Sequence, residues 1–351
     1  MIEEFDIKEL LKTATEMDAT DIHLVVDHPV VLRINGDLVP LDRPPFHPMT
    51  LKKIIFNMLD EKQKDDFINN KELDFSYFCL NNYQFRVNAH MEKGNVAANI
   101  RIMPKVIKTR EQLGLPVALQ DLALKRKGLI IVAGPAGSGK TTTLTWMVDV
   151  INRKRRCKII TVEDPIEYIH ENKESLVIQR EVGYDTNSFA NALKYCLRQD
   201  PDVVVIGEIR DAESIAMALT AAETGHLVLT TLHSSDATET INRILDACPS
   251  GKQAQVSAQL SENLEGIIGQ ILVPSMESKN RILATEVMLA TRPVRNLIRT
   301  GSLSEVRSQM DSNISSDTYT LETCLSDLVS KELISKETAI EYAKYPDLLR
   351  C

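Results

Sequence analysis

Eight consecutive residues of the chain have the types and spacing of a phosphate-binding loop. Gly134-Pro-Ala-Gly-Ser-Gly-Lys-Thr141 satisfies the pattern G-x-x-x-x-G-K-[ST], with a predicted strand at Leu129 to Ala133 before it and a predicted helix after it. Glycines let backbone N–H groups turn towards phosphate oxygens, beside the positive end of the helix dipole. Lys140 would neutralise β- and γ-phosphate oxygens, and the Thr141 hydroxyl would bind Mg²⁺. The predicted ligands are ATP and Mg²⁺, and the predicted nucleotide contacts are Gly134, Pro135, Ala136, Gly137, Ser138, Gly139, Lys140, Thr141 and Thr142.

Two predicted strands end in acidic residues, and hydrolysis requires a carboxylate near the γ-phosphate. Asp202 to Glu208 has the form of a Walker B strand, but Gly207 stands where an Asp often holds the metal. Glu208 is therefore expected to act on Mg²⁺ through water, or on the attacking water. Glu163, at the end of the strand from Lys158, is a candidate general base or water-positioning residue. The competing interpretation is a helix cap or a solvated turn, and the adjacent phosphate loop favours the catalytic one.

A third predicted strand, from His226, ends in a polar cluster. Thr230, Thr231 or His233 could sense the γ-phosphate by hydrogen bonding. The other histidines outside this strand are expected to be surface or structural residues: His23, His28, His47, His90 and His170.

Two arginines are predicted to face each other across a hairpin. A two-residue turn at Lys93-Gly94 sets Arg86 opposite Arg101, whereas a four-residue loop makes them diagonal neighbours. Facing like charges are unfavourable unless an anion or a carboxylate lies between them. Pairing with an Asp or Glu of the same small domain is one interpretation. The other interpretation is contact with a transferred phosphoryl group, because guanidinium groups can stabilise the negative charge distributed over its oxygens.

The chain of 351 residues has roughly the length of two domains, and the pattern changes near residue 115. Residues 1–103 read as a small mixed α/β unit, with an amphipathic start, an Asn35-Gly36 hairpin and a β meander. Residues 104–120 read as a linker, and residues 121–351 as an α/β domain with a parallel sheet. The region after about Asp236 is predicted to be mostly helical. The predicted strands of the second domain are Leu129–Val132, Lys158–Val162, Val203–Ile206 and Leu227–Thr231, and its predicted helices are Thr142–Ile151, Ser188–Arg198 and Ala212–Glu223.

Composition argues against several other classes of protein. Hydrophobic residues make up 43% of the chain and the formal charge is −8, so bulk electrostatics do not favour nucleic acid. The amino terminus lacks the features of a signal peptide, and the sequence has no apolar run near the roughly 18 residues that span a bilayer. Six scattered cysteines without a Cys-x-x-Cys pair indicate a reducing compartment. The expected location is the cytoplasm, with no direct membrane insertion.

Four segments together resemble the type II/IV secretion ATPase family. They are the phosphate loop at Gly134, Thr161-Val-Glu-Asp-Pro-Ile-Glu-Tyr, Asp202-Val-Val-Val-Ile-Gly-Glu-Ile-Arg-Asp and Ala221-Ala-Glu-Thr-Gly-His-Leu-Val-Leu-Thr-Thr-Leu-His. Within that family, the short acidic amino-terminal domain, Phe85-Arg-Val-Asn-Ala and Gln179-Arg-Glu-Val resemble the type IV pilus retraction ATPases.

The resemblance implies an α/β fold: a small PAS-like amino-terminal domain and a RecA-like P-loop ATPase domain with a helical carboxy-terminal region. It also implies a homohexamer with nucleotide between the two domains, acting on an inner-membrane platform protein of the pilus machine. The motor would associate peripherally with that membrane, with a second retraction ATPase as a further partner. The implied catalytic residues are Glu163, Glu208, His233, Arg86 and Arg101, with Thr141 and Glu208 towards Mg²⁺.

Retraction is the function that the resemblance favours. Pro293-Val-Arg-Asn-Leu-Ile-Arg-Thr300 keeps the core of the retraction signature but differs at both ends. A tetracysteine site and a longer amino terminus, usual in assembly and type II secretion members, are missing from this sequence. The alternatives are an accessory retraction ATPase, an assembly or type II secretion ATPase and, more remotely, a RecA-like nucleic-acid translocase. The translocase would rely on the basic run Arg153-Lys-Arg-Arg156, which more often forms a solvated helix end.

Overall fold

The computed structural model describes residues 6–79, 83–103, 106–209, 211–276, 280–312 and 317–350. The chain forms two compact units. The first extends to Val106 and includes Glu167–Ile169; the second comprises Ile107–Ile166 and the chain from His170 onward. Within the described ranges, none of the helices has both the length and the apolar character needed to cross a membrane.

An antiparallel sheet forms the first unit, and among the described residues its strand order is β3-β2-β1-β6-β5-β4. The predicted Asn35-Gly36 turn is present, and of the two alternatives at Lys93-Gly94 the structure has the two-residue turn. Asn35, Gly36, Lys93 and Gly94 all have positive φ angles, as two-residue hairpin turns require. The strands are β1 (Asp21–Leu24), β2 (Val31–Ile34), β3 (Asp37–Pro40), β4 (Glu72–Cys79), β5 (Tyr83–Glu92) and β6 (Asn95–Ile102).

In the described part of this unit, three helices pack with the sheet around an apolar core that includes Leu10, Ile55, Phe67 and Phe85. The third helix was not predicted. Its sequence is mostly charged and it buries one residue, Phe67, so it lacks a clear apolar stripe. An Asp60–Gln63 capping box holds its first turn instead. The helices are α1 (Ile7–Glu16), α2 (Pro48–Phe56) and α3 (Glu61–Asn70).

Residues 107–120, predicted as part of a linker, fold with the second unit. They contain α4 (Arg110–Leu113) and the start of α5 (Ala118–Ala123). Leu115 and Leu119 are buried in the core on one face of the second sheet. The prediction missed this packing because short helices separated by Gly and Pro show no clear period in the sequence.

A mostly parallel sheet forms the centre of the second unit, and in the described part of the chain its order is β13-β12-β7-β11-β10-β8-β9. The four predicted strands are confirmed, each within one residue at either end. Leu129, Ile131 and Ala133 face one apolar core, while Ile130 and Val132 face another. Burial on both faces explains their continuous apolar sequence. The strands are β7 (Gly128–Ala133), β8 (Lys158–Glu163), β9 (Leu176–Glu181), β10 (Val203–Ile206), β11 (Leu227–Leu232), β12 (Leu264–Pro274) and β13 (Arg281–Leu289).

The expectation that the chain is mostly helical after Asp236 is wrong for β12 and β13. These two strands pair antiparallel with each other, and β12 also pairs parallel with β7. Their apolar runs are buried, and periodicity alone does not separate a buried strand from a buried helix segment. Strand β9 was also missed, because it is half-buried and lies at the sheet edge.

Helices cover both faces of the second sheet, which confirms the predicted α/β class. The predicted helices at Thr142, Ser188 and Ala212 are present with small changes at their ends. After α4 and α5, the helices are α6 (Lys140–Lys154), α7 (Phe189–Cys196), α8 (Ala212–Glu223), α9 (Ala237–Asp246), α10 (Gln253–Asn263), α11 (Arg292–Thr300), α12 (Ser304–Ser312), α13 (Leu321–Ser330) and α14 (Lys336–Tyr342).

Candidate functional site

The glycine-rich loop connects β7 to α6, as the motif predicts. Gly139 has a φ of +87° and no side chain caps the helix that follows among the described residues. The first N–H groups of α6 therefore remain available for an anion at the positive end of the helix dipole. Gly134 has a φ of +155°, and a Cβ atom there would lie 2.3 Å from the Gln270 carbonyl oxygen. Another residue at 134 would displace the loop from β12.

The side chain of Gln270 on β12 holds the phosphate loop and the start of α6 through two hydrogen bonds. Its Nε2 donates to the Ser138 carbonyl oxygen at 2.7 Å, and its Oε1 accepts from the Thr143 hydroxyl at 2.9 Å. The Gln270 residue is only 1% exposed. Two bonds from one buried amide fix the loop relative to the first turns of α6. Sequence reasoning missed Gln270, because its role depends on the pairing of β12 with β7.

A second feature of the loop fits a phosphate ligand. The Ser138 hydroxyl oxygen is buried and has no hydrogen-bond partner among the described residues. A buried hydroxyl without a partner costs free energy, and a phosphate oxygen at this loop would satisfy it.

Lys140 and His233 are brought together with Glu208. The Lys140 Nζ atom donates to the carbonyl oxygens of Gly134 and Pro135, at 2.8 and 2.9 Å, and lies 3.4 Å from His233 Nδ1. On the other side of the ring, His233 Nε2 lies 3.3 Å from Glu208 Oε1. The three predicted residues therefore form a continuous series at the carboxyl end of the sheet.

The geometry of this series assigns the imidazole tautomer. A lysine ammonium group can only donate hydrogen bonds, so Nδ1 of His233 must accept. The ring proton then lies on Nε2, the nitrogen that is 3.3 Å from Glu208 Oε1. His233 thus contacts Lys140 and Glu208 through its two ring nitrogens. Of the other two candidates on β11, the Thr231 hydroxyl donates to the Gly207 carbonyl oxygen at 2.6 Å, and Thr230 is fully buried.

Glu163 is held at the end of β8 by two side chains. The Thr161 hydroxyl donates to Glu163 Oε1 at 2.6 Å, and Gln179 Nε2 donates to the same oxygen at 3.1 Å. Thr161 and Gln179 had no assigned role in the sequence, although both occur in segments that carry the family resemblance. Thr161 lies two residues before Glu163 on β8, whereas the contact of Gln179 with Glu163 depends on the parallel pairing of β8 and β9.

The glycine of the Walker B strand has a steric reason. A Cβ atom on Gly207 would lie 3.3 Å from the Val162 carbonyl oxygen and 3.4 Å from the Glu163 Cα atom. A longer side chain would therefore push against β8. This crowding agrees with the expectation that position 207 does not hold a metal directly.

The residues present fit a magnesium ion that also binds substrate phosphate. Among the described residues, no group of three or more His, Cys, Asp and Glu side chains could hold a metal by itself. Thr141 lies in the first turn of α6, and Glu208 follows β10, which is separated by β11 from the strand that leads into α6. Mg²⁺ is commonly bound by few protein oxygens, with phosphates and waters supplying the rest. Thr141 and Glu208 are such oxygen donors.

Arg86 and Arg101 lie directly opposite each other on β5 and β6, in the register that the two-residue turn predicts. Arg101 Nε donates to Asp21 Oδ1 at 2.9 Å, which is the pairing with an acidic residue of the same small domain that one of the two interpretations expects. Arg86 makes no ion pair among the described residues. The two arginines therefore differ in their partners, although the sequence analysis gave them the same two interpretations.

The basic run at 153–156 is neutralised locally. Arg153 pairs with Asp149, Arg156 pairs with Glu174, and Arg155 donates to the Lys125 carbonyl oxygen. These contacts favour a helix end over a nucleic-acid surface.

Known proteins with similar sequences and structures agree with this fold and site. The chain belongs to the family described as type II/IV secretion system protein, which it matches over residues 1–342. Its second unit has the RecA-like ATPase fold of that family. One curated relative is the type IV pilus retraction ATPase PilT of Pseudomonas aeruginosa, 41% identical over 97% of this chain and 99% of the relative. Another is a twitching motility protein of Neisseria gonorrhoeae, 37% identical over 95% of this chain and 90% of the relative.

Solved structures show the same likeness. The crystal structure of the pilus retraction motor PilT with bound ADP has a TM-score of 0.92, 42% identity and 99% coverage of both chains. The ATPase DotB of Legionella pneumophila has a TM-score of 0.77 and 25% identity, covering 95% of this chain and 94% of its own.

Proposed function

We propose that the protein is an ATP-hydrolysing motor that powers retraction of a type IV pilus. The observation that carries the proposal is the Lys140–His233–Glu208 series beside the phosphate loop. The likeness to a retraction motor along 99% of the chain supports it. ATP is the substrate, and the work is the removal of pilin subunits from the base of the fibre.

Each residue of the site has a role in this proposal. Lys140 neutralises phosphate charge, and the N–H groups at the start of α6 bind phosphate oxygens. Glu163 and Glu208 direct the attacking water, and His233 relays the state of the phosphate to Glu208. Magnesium, when bound, neutralises charge on the triphosphate. Thr141 would hold it directly and Glu208 through water. Arg86 and Arg101 stay proposed charges of the completed site.

The assembly is also part of the proposal. The two units act as separate domains of a subunit, and six subunits form the working ring. The ring operates on the cytoplasmic side of the inner membrane, where a platform protein of the pilus machine recruits it. A second retraction ATPase is a further partner.

The segment that resembles the retraction signature forms α11. Val294 and Ile298 are buried, and Arg295 donates to the carbonyl oxygens of Ala290, Ser261 and Glu262. These residues hold the helix on the second unit. Asn296 and Arg299 are exposed and hydrogen-bond to each other at 2.9 Å. They are the part of the signature that a partner would meet.

A clean deletion complemented with wild type or Lys140→Ala tests the proposal. Surface pili and twitching are scored together. We expect abundant, immobile pili in the deletion and in the Lys140→Ala strain, with motility restored by wild type. Bald cells would indicate an assembly motor, and normal motility in the Lys140→Ala strain would indicate an accessory role without turnover.

A further inference from the structure

Gln179 connects two neighbouring segments of the second unit. Its Nε2 atom donates to Glu163 Oε1 at 3.1 Å, and its Oε1 atom accepts from the His170 backbone N–H at 2.8 Å. The side chain thus bridges the end of β8 to the segment that leads into β9.

The orientation of this amide is fixed by its partners. A backbone N–H can only donate, so the atom facing His170 must be the amide oxygen. The NH₂ group then faces Glu163, whose Oε1 atom accepts its hydrogen bond. A flipped amide would place an oxygen against the carboxylate and a donor against a donor.

Strand pairing puts Gln179 in reach of Glu163. In the parallel register, Gln179 on β9 lies opposite Thr161 on β8, and Glu163 is two residues beyond Thr161 on the same face. Thr161 donates to the same Oε1 atom at 2.6 Å. Two donors on one oxygen restrict the rotation of the carboxylate, so its second oxygen, Oε2, has a defined direction.

We propose that Gln179 is a positioning residue for hydrolysis: it holds Glu163 in the orientation in which that carboxylate directs the attacking water. The inference rests on the proposed ATPase function and adds a residue to it. Gln179 acts through Glu163 and does not itself contact nucleotide.

Several other carboxylates lie near Glu163 at the carboxyl ends of the strands, so a hydrogen-bond donor at position 179 is important for holding Glu163. Glu181, opposite Glu163 on β9, accepts from the Ile166 N–H at 3.1 Å, while Asp164 follows Glu163 in the chain. Glu208 follows β10, which pairs with the other side of β8. A further carboxylate in place of the Gln179 amide would face Glu163 among these charges.

Gln179→Glu is the informative substitution. It keeps an acceptor for the His170 N–H but replaces the donor towards Glu163 with a carboxylate oxygen. We expect kcat for ATP to fall by about tenfold or more at pH 8 with KM within about twofold. At pH 6 the loss should shrink to about threefold, because a proton shared by two facing carboxylates restores a donor. Gln179→Leu should lose kcat to the same degree at both pH values.

Gln259→Glu is the matched control. Gln259 Nε2 donates to Glu223 Oε2 at 2.9 Å on an exposed helix surface, so the same amide-to-carboxylate change is made outside the site. It should leave kcat and its pH profile unchanged.

Thermal unfolding and binding of a fluorescent ADP analogue accompany the kinetics. A wild-type kcat and pH profile for Gln179→Glu would overturn the inference. So would failure to fold or to bind nucleotide in both Gln179 variants, since the residue would then be structural. Absence of ATP turnover by the wild-type ring would instead defeat the proposed function, which keeps the two failures distinguishable.

Discussion

At the scale of single residues, the site is a row of charged and polar groups with assigned donors and acceptors. Lys140 is 8% exposed and contacts two loop carbonyls, so its charge is held where phosphate oxygens would lie. Glu208 is separated from it by the His233 ring. We therefore expect nucleotide binding and turnover to depend on different members of the row.

Substitution of these residues should separate the two steps. Lys140→Ala should abolish nucleotide binding or turnover, because it removes the buried positive charge. Glu208→Ala should keep binding and reduce turnover by about a hundredfold or more, the usual effect of losing a carboxylate that acts in proton transfer or water positioning. Measurements are ADP-analogue affinity and steady-state ATP hydrolysis by purified protein. Full activity in both variants would contradict the assignment.

The phosphate loop was predictable because its residues are contiguous and each has a backbone reason. The placement of His233, Glu163 and Glu208 was predictable because parallel strands gather their carboxyl ends at one edge, and their catalytic roles stay predictions. Gln270 and the tautomer of His233 were not predictable. They depend on strand pairing and on interatomic distances that no local pattern specifies.

At the scale of elements, β13 and the carboxy-terminal segment hold the start of α9, which follows the His233 strand. Glu286 on β13 is 4% exposed and accepts from the Ala237 N–H at 2.8 Å. Asp236, the residue that caps α9, pairs with Lys344. The prediction of a mostly helical region was wrong at this point, because the strand β13 holds the start of α9.

Glu286 should make stability depend on pH. Burial raises the pKa of Glu286 to about 7, and Asp236, Arg307 and Glu322 are the charged groups around it. The pKa of Glu286 is higher in the folded protein than in the unfolded chain. At pH values between these two pKa values, the folded protein keeps a proton that the unfolded chain has lost. That stabilisation is present at acidic pH and disappears as the pH rises through about 7.

Glu286→Gln removes this titration and keeps an acceptor for the Ala237 N–H. The variant should gain stability relative to wild type between pH 5 and pH 8, by about 2 kcal/mol. Urea unfolding at the two pH values measures the difference. The exposed substitution Glu223→Gln is a suitable control, and an equal effect at both pH values would show that Glu286 does not titrate in this range.

At the scale of the whole molecule, the proposal requires an oligomer. The matches to the family and to the PilT structure cover almost the entire chain. The likeness therefore includes both units, and not only the unit that contains the phosphate loop. The facing Arg86–Arg101 pair in the first unit is one of the two registers that the sequence allowed, the one with a two-residue turn at Lys93-Gly94. The role of these charges was not predictable, because it depends on how subunits meet.

The mass of the active species tests this level. With ATP or ADP and Mg²⁺, light scattering should give the mass of six chains of 39.4 kDa. Hydrolysis per chain should fall on dilution as the rings dissociate. Lys140→Ala, measured under the same conditions, indicates whether assembly requires bound nucleotide. Full turnover by a species with the mass of one chain would rule out the ring as the catalytic unit.

The buried amide of Gln270 also has a consequence for the order in which the protein is made. It is 132 positions beyond the Ser138 carbonyl that it holds. A ribosome therefore completes the phosphate loop long before it synthesises the support beneath that loop. Contacts so distant in the chain are costly to close and form late in folding. A nascent chain that stops before β12 should accordingly carry the whole phosphate-binding motif and still fail to retain nucleotide.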